Sequence, residues 1–182
     1  MEWRHVPLPR DRISALGREL GVSDVLAELL LRVPVASAEE ARAFLDPRLS
    51  ALSDPFRLLN LEAAADRLNL AIDRGETVSV FGDYDVDGVC GTALLTRALA
   101  MMGGRPHPFV PHRVENGYDL GSAGIEAARA AGASLIVTTD CGIVAHDAVL
   151  QARAAGIDVI VTDHHTPAGT LPAATAVVNP NR

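Results

Sequence analysis

From residue 77 onward, short apolar runs rich in β-branched residues alternate with segments of helical spacing. The runs that predict strands are Thr77–Phe81, His107–Pro111, Leu135–Thr139, Val159–Thr162 and Thr175–Val178. The segments that predict helices, each followed by a glycine, are Leu61–Arg74, Ala93–Met102, Ser122–Ala131 and Ala145–Ala155. Nearly continuous apolar strands that alternate with helices are typical of a parallel sheet covered on both faces. We therefore predict an α/β fold with a parallel β-sheet flanked by helices.

The first fifty residues have a different character. Helical spacing at Asp11–Leu20 and Ser23–Leu31, and a capping box that opens at Ser37, predict a small helical lead-in over residues 1–50. This part carries no chemical motif and is expected to be structural. The α/β domain is predicted over residues 51–182.

Composition and charge exclude several classes of protein. The 48% of hydrophobic residues is enough for a buried core and excludes a disordered chain. The two cysteines are too few for a disulfide framework. No apolar run reaches the length of a membrane span, and the N-terminus lacks a signal-peptide pattern, so we expect a cytoplasmic protein. All 16 basic residues are arginine, which suits bidentate contacts with phosphate.

Acidic residues and histidines follow three of the predicted strands. They are Asp83, Asp85 and Asp87 after the first strand, Asp140 after the third, and Asp163, His164 and His165 after the fourth. The carboxyl ends of parallel strands meet at one edge of a sheet, so we expect these side chains to lie together. Carboxylates mixed with imidazoles suit Mn²⁺, with Mg²⁺ also possible. A two-metal site of this kind predicts hydrolysis of a phosphodiester or phosphoanhydride.

Simpler interpretations of the same residues remain open. A lone aspartate after a strand, such as Asp140, is more often a helix N-cap than a ligand. The Asp-x-Asp-x-Asp-Gly pattern from Asp83 is also that of a calcium loop, but Leu94 occupies the place of the bidentate glutamate. The glycines around the first motif do not form a nucleotide-binding fingerprint, so we expect them to let the backbone turn tightly.

The segment from Arg113 to Gly121 is predicted to be a loop. It is interpreted either as a plain turn or as a substrate-contacting loop, in which Arg113 would bind a phosphate and Tyr118 would lie against the substrate.

Taken together, the motifs resemble those of the DHH phosphoesterase superfamily, and within it the bacterial exonucleases that digest single-stranded DNA from the 5′ end. The motifs that carry the resemblance are Gly82-Asp83-Tyr84-Asp85-Val86-Asp87-Gly88, Val110-Pro111-His112-Arg113, Gly117-Tyr118, Thr139-Asp140-Cys141-Gly142-Ile143, Thr162-Asp163-His164-His165 and Val178-Asn179-Pro180-Asn181. In the lead-in, Phe44-Leu45-Asp46-Pro47 and Asp54-Pro55-Phe56 also resemble the opening of those exonucleases.

The resemblance implies a function and a set of site residues. Members of this branch use Mn²⁺ or Mg²⁺ and act in DNA repair and recombination. The metal ligands that it implies are Asp85, Asp87, Asp140 and His164. It also implies that His165 is a ligand or contacts the scissile phosphate, and that Asp83 is a ligand or supports one.

The sequence departs from the family in two places. Where the family usually reads Gly-Tyr-Gly, this chain has Gly117-Tyr118-Asp119, which adds a carboxylate near an anionic substrate. The family's phosphoesterase domain also continues with a further metal-binding aspartate, a clamping domain and a strand-binding domain. We therefore expect a C-terminal remainder, or a separate chain, to complete the site.

Two other functions compete with the exonuclease. A hydrolase of this superfamily could act on oligoribonucleotides, cyclic dinucleotides or pyrophosphate. A scaffold derived from the superfamily could bind without cleaving, although such proteins normally lose motif aspartates or histidines, and here the candidate ligands are present.

Overall fold

The structure is a computed structural model that describes residues 6–35 and 37–182. The beginning of the chain, where the sequence lacks a signal-peptide pattern, lies outside the described residues. The chain divides into two compact units, one that ends at Ser53 and a second over Asp54–Arg182. The domain boundary predicted after residue 50 stays a prediction.

In its described residues, the first unit has three short helices and one 3₁₀ turn after them. The helices are α1 (Arg10–Leu20), α2 (Asp24–Leu30) and α3 (Ala38–Leu45). Two of the helices begin at capping serines. The hydroxyl oxygen of Ser23 accepts the N–H of Leu26 at 3.3 Å, and that of Ser37 accepts the N–H of Glu40 at 3.1 Å. Such caps satisfy backbone donors that have no partner inside the helix.

The second unit is built on a five-stranded sheet in which every neighbouring pair is parallel. Its strands are β1 (Thr77–Gly82), β2 (Arg105–Phe109), β3 (Ala133–Thr139), β4 (Asp158–Thr162) and β5 (Ala176–Val178). Its helices are α4 (Leu61–Asp73), α5 (Val86–Met101), α6 (Arg113–Asn116), α7 (Ser122–Ala130) and α8 (His146–Ala154), with a 3₁₀ turn at Pro55–Arg57. The strand order is β2-β1-β3-β4-β5, so the order reverses between β1 and β3. The predicted α/β fold is confirmed.

Helices cover both faces of the sheet. On one face, Phe81, Ile136 and Val149 belong to a buried cluster that includes residues of α7 and α8. On the other, Val80 and Leu135 belong to a cluster that includes residues of α4 and α5. Full burial of such a side chain stabilises the fold by about 1.5–3 kcal/mol, so the ends of the central strands are held firmly.

The helix predicted over Ala93–Met102 begins seven residues earlier, at Val86, so that part of the prediction is wrong. Asp85 caps it, because its Oδ1 accepts the N–H of Gly88 at 3.1 Å. The glycines near its start allow close packing rather than a turn of unusual φ. A Cβ at Gly88 would lie 2.5 Å from the carbonyl oxygen of Asp83, and one at Gly82 would lie 1.8 Å from Oγ1 of Thr92.

Two smaller differences concern β2 and the following loop. The strand spans Arg105–Phe109 rather than His107–Pro111, and it lies at the edge of the sheet, where its prolines are tolerated. The predicted loop after it contains the short helix α6.

Within the described part of the chain, no helix is both long enough and apolar enough to cross a bilayer.

Candidate metal centre

The candidate centre lies where three strands end in the same row of the sheet. Gly82 pairs with Thr139, and Thr139 pairs with Thr162, each the last residue of its strand. The next residues continue the ladder, because Asp83 donates its N–H to the carbonyl of Thr139 at 3.3 Å. Likewise Asp140 donates to the carbonyl of Thr162 at 3.0 Å. The register therefore places Asp83, Asp140 and the Asp163-His164-His165 segment side by side.

Asp140 has the most unusual environment of these residues. Its φ is 64°, in the left-handed region, and its side chain is only 8% exposed. Neither carboxylate oxygen has a hydrogen-bond partner among the described residues. The Nε2 of His164 stands 2.8 Å from Oδ1, but this approach lacks hydrogen-bond geometry. A buried carboxylate without donors is unfavourable unless a cation offsets its charge.

The protonation of Asp140 reflects this environment. Burial, followed by the charges of Asp87 and Asp85, raises the pKa of Asp140 to about 6. A cation bound here would favour the carboxylate form and lower the pKa of Asp140 again.

Two groups of potential ligands share Asp140. One consists of Asp83, Asp85 and Asp140, and the other of Asp140, His164 and His165. Within each group, one ligand atom from every residue lies within 4.8 Å of the others. Oxygen and nitrogen donors at this spacing fit two divalent cations with Asp140 between them. The observation on which this fit depends is that the buried oxygens of Asp140 lack a hydrogen bond among the described residues.

The start of α5 brings two more carboxylates to the same edge. Asp85 is exposed, and a hydrogen bond with Asp87, followed by the N–H of Gly88, lowers its pKa. Asp87 lies in the first turn of α5, and its Oδ2 stands 3.6 Å from Nε2 of His164. Asp87 joins neither group of three, but it lies beside Asp85 and His164, which do.

His165 is oriented by a carboxylate. Its Nδ1 lies 2.7 Å from Oδ1 of Asp163, and this hydrogen bond raises the pKa of His165. Burial alone would raise the pKa of Asp163, but hydrogen bonds from the N–H groups of His165 and Ile143 and from the His165 ring lower it overall. Because Nδ1 is occupied, Nε2 is the ring nitrogen of His165 that remains for a metal or a phosphate.

The backbone of the two histidines accepts hydrogen bonds from two asparagines, Asn179 and Asn181, for which the sequence analysis predicted no role. The side-chain amide of Asn179 donates to the carbonyl of His165 at 2.9 Å, and that of Asn181 donates to the carbonyl of His164. Asn179 is only 2% exposed. Asn179 directly follows β5, just as Asp140 and Asp163 directly follow β3 and β4. This position after a predicted strand could have identified Asn179 from the sequence.

The predicted substrate-contacting residues flank the centre. Tyr118 is half exposed, and its ring centroid lies 6.4 Å from that of His165 and 6.3 Å from that of Tyr84. The guanidinium of the exposed Arg113 lies 5.2 Å from the centroid of the Tyr84 ring, a cation–π contact, and its role at a phosphate stays a prediction. An open cleft of about 450 Å³ adjoins Asp87, Asp140 and His164.

Comparison with known proteins identifies the class. A family model described as the DHH family, N-terminal domain, matches residues 77–182. These residues run from the start of β1 to the end of the chain and contain every candidate ligand. The chain belongs to the DHH family.

The more particular similarity is to single-stranded-DNA-specific exonucleases RecJ, to whose N-terminal part the chain corresponds. The protein of that name from Bacillus subtilis is 34% identical over 182 residues, which is 100% of this chain and 23% of that protein. The one from Thermus thermophilus is 41% identical over 177 residues, 94% of this chain and 25% of that protein. A crystal structure of exonuclease RecJ bound to manganese is 41% identical, with a TM-score of 0.65 over 71% of this chain and 33% of that one. The chain thus spans about a quarter of the length of these curated relatives.

Proposed function

We propose that this chain is the metal-binding part of an exonuclease that hydrolyses phosphodiester bonds in single-stranded DNA during repair and recombination. The observation that carries the proposal is the pair of ligand groups that share Asp140 at the carboxyl edge of the sheet. The names of the relatives support the choice of substrate. Digestion from the 5′ end and a cytoplasmic location are parts of the proposal that rest on resemblance and sequence alone.

The proposed ligands are Asp83, Asp85, Asp87, Asp140 and His164, with Mn²⁺ or Mg²⁺ as the cation. Asp140 would be shared by two ions, with Asp83 and Asp85 near one of them and His164 near the other. When bound, a pair of such ions lowers the pKa of water and offsets the charge that develops on a phosphate during displacement. The manganese-bound RecJ structure supports the choice of metal.

The chain's own groups would position the substrate. His165 is held by Asp163 through Nδ1, which leaves Nε2 to donate a proton to a phosphate oxygen. The raised pKa of His165 favours the protonated ring that this role requires. The half-exposed ring of Tyr118 offers a face on which a base can stack without regard to sequence.

The strand-binding surface is proposed to lie mostly outside these residues. The chain has a net charge of −7, and its relatives are about four times longer, so a C-terminal remainder or a separate chain would supply the basic groove and complete the site. A chain that carries only the candidate centre is expected to bind metal and to cleave DNA weakly or not at all.

The experiment measures Mn²⁺-dependent release of nucleotides from end-labelled single-stranded DNA, with duplex DNA and a dinucleotide in parallel. It uses a full-length protein that contains this chain, and Asp140→Ala serves as the inactive comparison. We expect digestion of the single strand only, and a loss of at least about 100-fold in Asp140→Ala with an unchanged circular dichroism spectrum. Turnover by the variant at the wild-type rate would overturn the site assignment, and turnover of the dinucleotide alone would overturn the substrate.

A further inference from the structure

Asn179 is a buried side chain that the proposed reaction does not use. Its Nδ2 donates to the carbonyl of His165 at 2.9 Å, and its Oδ1 accepts the backbone N–H of Asn181 at 2.7 Å. A backbone N–H can only donate and a carbonyl can only accept, so these two partners fix which way the amide points. Both ends of the buried amide are therefore satisfied.

The second asparagine extends the contact to the other histidine. The side-chain amide of Asn181 donates to the carbonyl of His164. Pro180 lies between the two asparagines and restricts the backbone there to a φ near −65°. The two asparagines form an asparagine clip, Asn179 and Asn181, which bonds two successive carbonyls of the histidine segment.

The clip takes over where the sheet ends. The N–H of Asp163 donates to the carbonyl of Val178 at 3.1 Å and continues the ladder between β4 and β5 by one step. Among the described residues, the hydrogen bonds that join His164 and His165 to the segment after β5 are those of the clip. The position of these two peptides relative to the sheet therefore depends on Asn179 and Asn181.

Packing alone fixes the two imidazole rings poorly. The side chains of His164 and His165 are 59% and 46% exposed. Their nitrogens must nevertheless stay close to Asp140, because the three residues form one of the two candidate ligand groups. A functional site tolerates errors of only about 0.5 Å in the placement of its groups. A shift of the backbone that carries the rings would exceed that tolerance.

We propose that Asn179 is a positioning residue for the histidine pair. It fixes the peptide of His165 directly, and it fixes that of His164 by holding the backbone of Asn181. The short strand β5 thereby takes part in the centre without contributing a ligand. This inference rests on the proposed function, because it takes His164 as a metal ligand and His165 as a group that contacts the phosphate.

Two substitutions remove the two donors of the clip separately. Asn179→Ala removes the buried amide. Asn181→Asp removes the donor to His164 at an exposed position, where a change of side chain leaves the fold intact, and it adds a negative charge. By charge alone the new carboxylate would tighten the binding of a nearby cation, whereas a lost donor weakens it.

Val177→Ala is the matched control for stability. Val177 is buried in β5, two residues before Asn179, and its side chain belongs to the apolar cluster on one face of the sheet. The substitution removes apolar contacts from the same strand and leaves both amides of the clip in place.

The readouts are amide hydrogen exchange of His165, followed by NMR on the metal-free chain, and titration of the chain with Mn²⁺, followed by the electron paramagnetic resonance of the free ion. For Asn179→Ala we expect His165 to exchange about tenfold faster and Mn²⁺ to bind about tenfold more weakly. Asn181→Asp should bind Mn²⁺ about threefold more weakly despite its added charge. Val177→Ala should lower the melting temperature yet stay within about threefold of wild type in both readouts.

Unchanged exchange at His165 in Asn179→Ala would overturn the inference. Tighter Mn²⁺ binding by Asn181→Asp would also overturn it, because charge rather than the hydrogen bond would then decide the affinity. An equal loss of affinity in Val177→Ala would do the same, since it would reflect general stability. Amide exchange needs no metal, so a wild-type chain that binds no Mn²⁺ would count against the proposed function and not against the clip.

Discussion

At the scale of the residue, Asp140 combines a proposed role as a metal ligand with a cost in stability. Its carboxylate is buried, lacks donors and stands near two other carboxylates, so the ionised form is unfavourable in the metal-free fold. A protein retains such a group when a ligand offsets the charge, which is why strongly perturbed carboxylates cluster at functional sites. A substitution of Asp140 should therefore weaken metal binding but raise the free energy of unfolding of the metal-free chain.

We predict that Asp140→Asn stabilises the metal-free chain by about 1–2 kcal/mol at neutral pH. The folded-state pKa of Asp140 is raised, so the folded chain binds the extra proton between pH 4 and 6 and loses stability, relative to the variant, as the pH rises through that window. Urea unfolding in EDTA at several pH values measures the difference. A difference that is absent at pH 7, or that grows toward acid, would contradict the prediction.

At the scale of the element, the early start of α5 is what brings Asp85 and Asp87 to the centre. The helix can begin there because Gly88 lets it approach the backbone of Asp83, where a Cβ would lie 2.5 Å from the carbonyl oxygen. The atoms that this Cβ would meet are backbone atoms of Asp83, so rotation of a side chain cannot relieve the clash.

We predict that Gly88→Ala destabilises the fold by about 2–4 kcal/mol, because the added methyl group forces apart α5 and the residue after β1. Gly91→Ala, one turn along the same helix, is the matched control. Its Cβ would lie 3.3 Å from the side chain of Thr139, and alanine is favoured over glycine in helices by about 1 kcal/mol, so we expect a change close to zero. Urea denaturation of the two variants tests the prediction, and equal effects would contradict it.

The same element shows how far sequence reasoning reaches. The strands were predictable because Leu135–Thr139 and Val159–Thr162 are apolar and β-branched, and their carboxyl ends place Asp140 and His164 at one edge without knowledge of side-chain positions. The first turns of α5 were not predictable, because two glycines and a repeating aspartate disfavour a helix locally and tertiary packing overrides that preference.

At the scale of the whole molecule, the candidate centre belongs to the second unit, and its ligands come from segments after three strands. A cation that joins these segments stabilises the folded state of that unit over the unfolded chain, in which the ligands are far apart.

We predict that Mn²⁺ at about 100 times its dissociation constant raises the melting temperature of the chain by about 5–10 °C at pH 7.5. The rise should shrink at pH 5, because protonated Asp140 competes with the metal. Differential scanning calorimetry with and without Mn²⁺ makes the measurement, with Asp140→Asn as a control that shows little or no rise. An equal rise in the control would mean that the ion binds elsewhere.

The left-handed backbone at residue 140 also restricts which residues can replace the aspartate in related proteins. At a φ of 64°, only glycine, asparagine and aspartate are accommodated readily, and of these only aspartate carries a charge. A related protein that no longer performs the proposed hydrolysis is therefore expected to carry asparagine or glycine at this position rather than alanine or valine. A survey of related sequences for that replacement would identify the proteins that have lost the proposed activity.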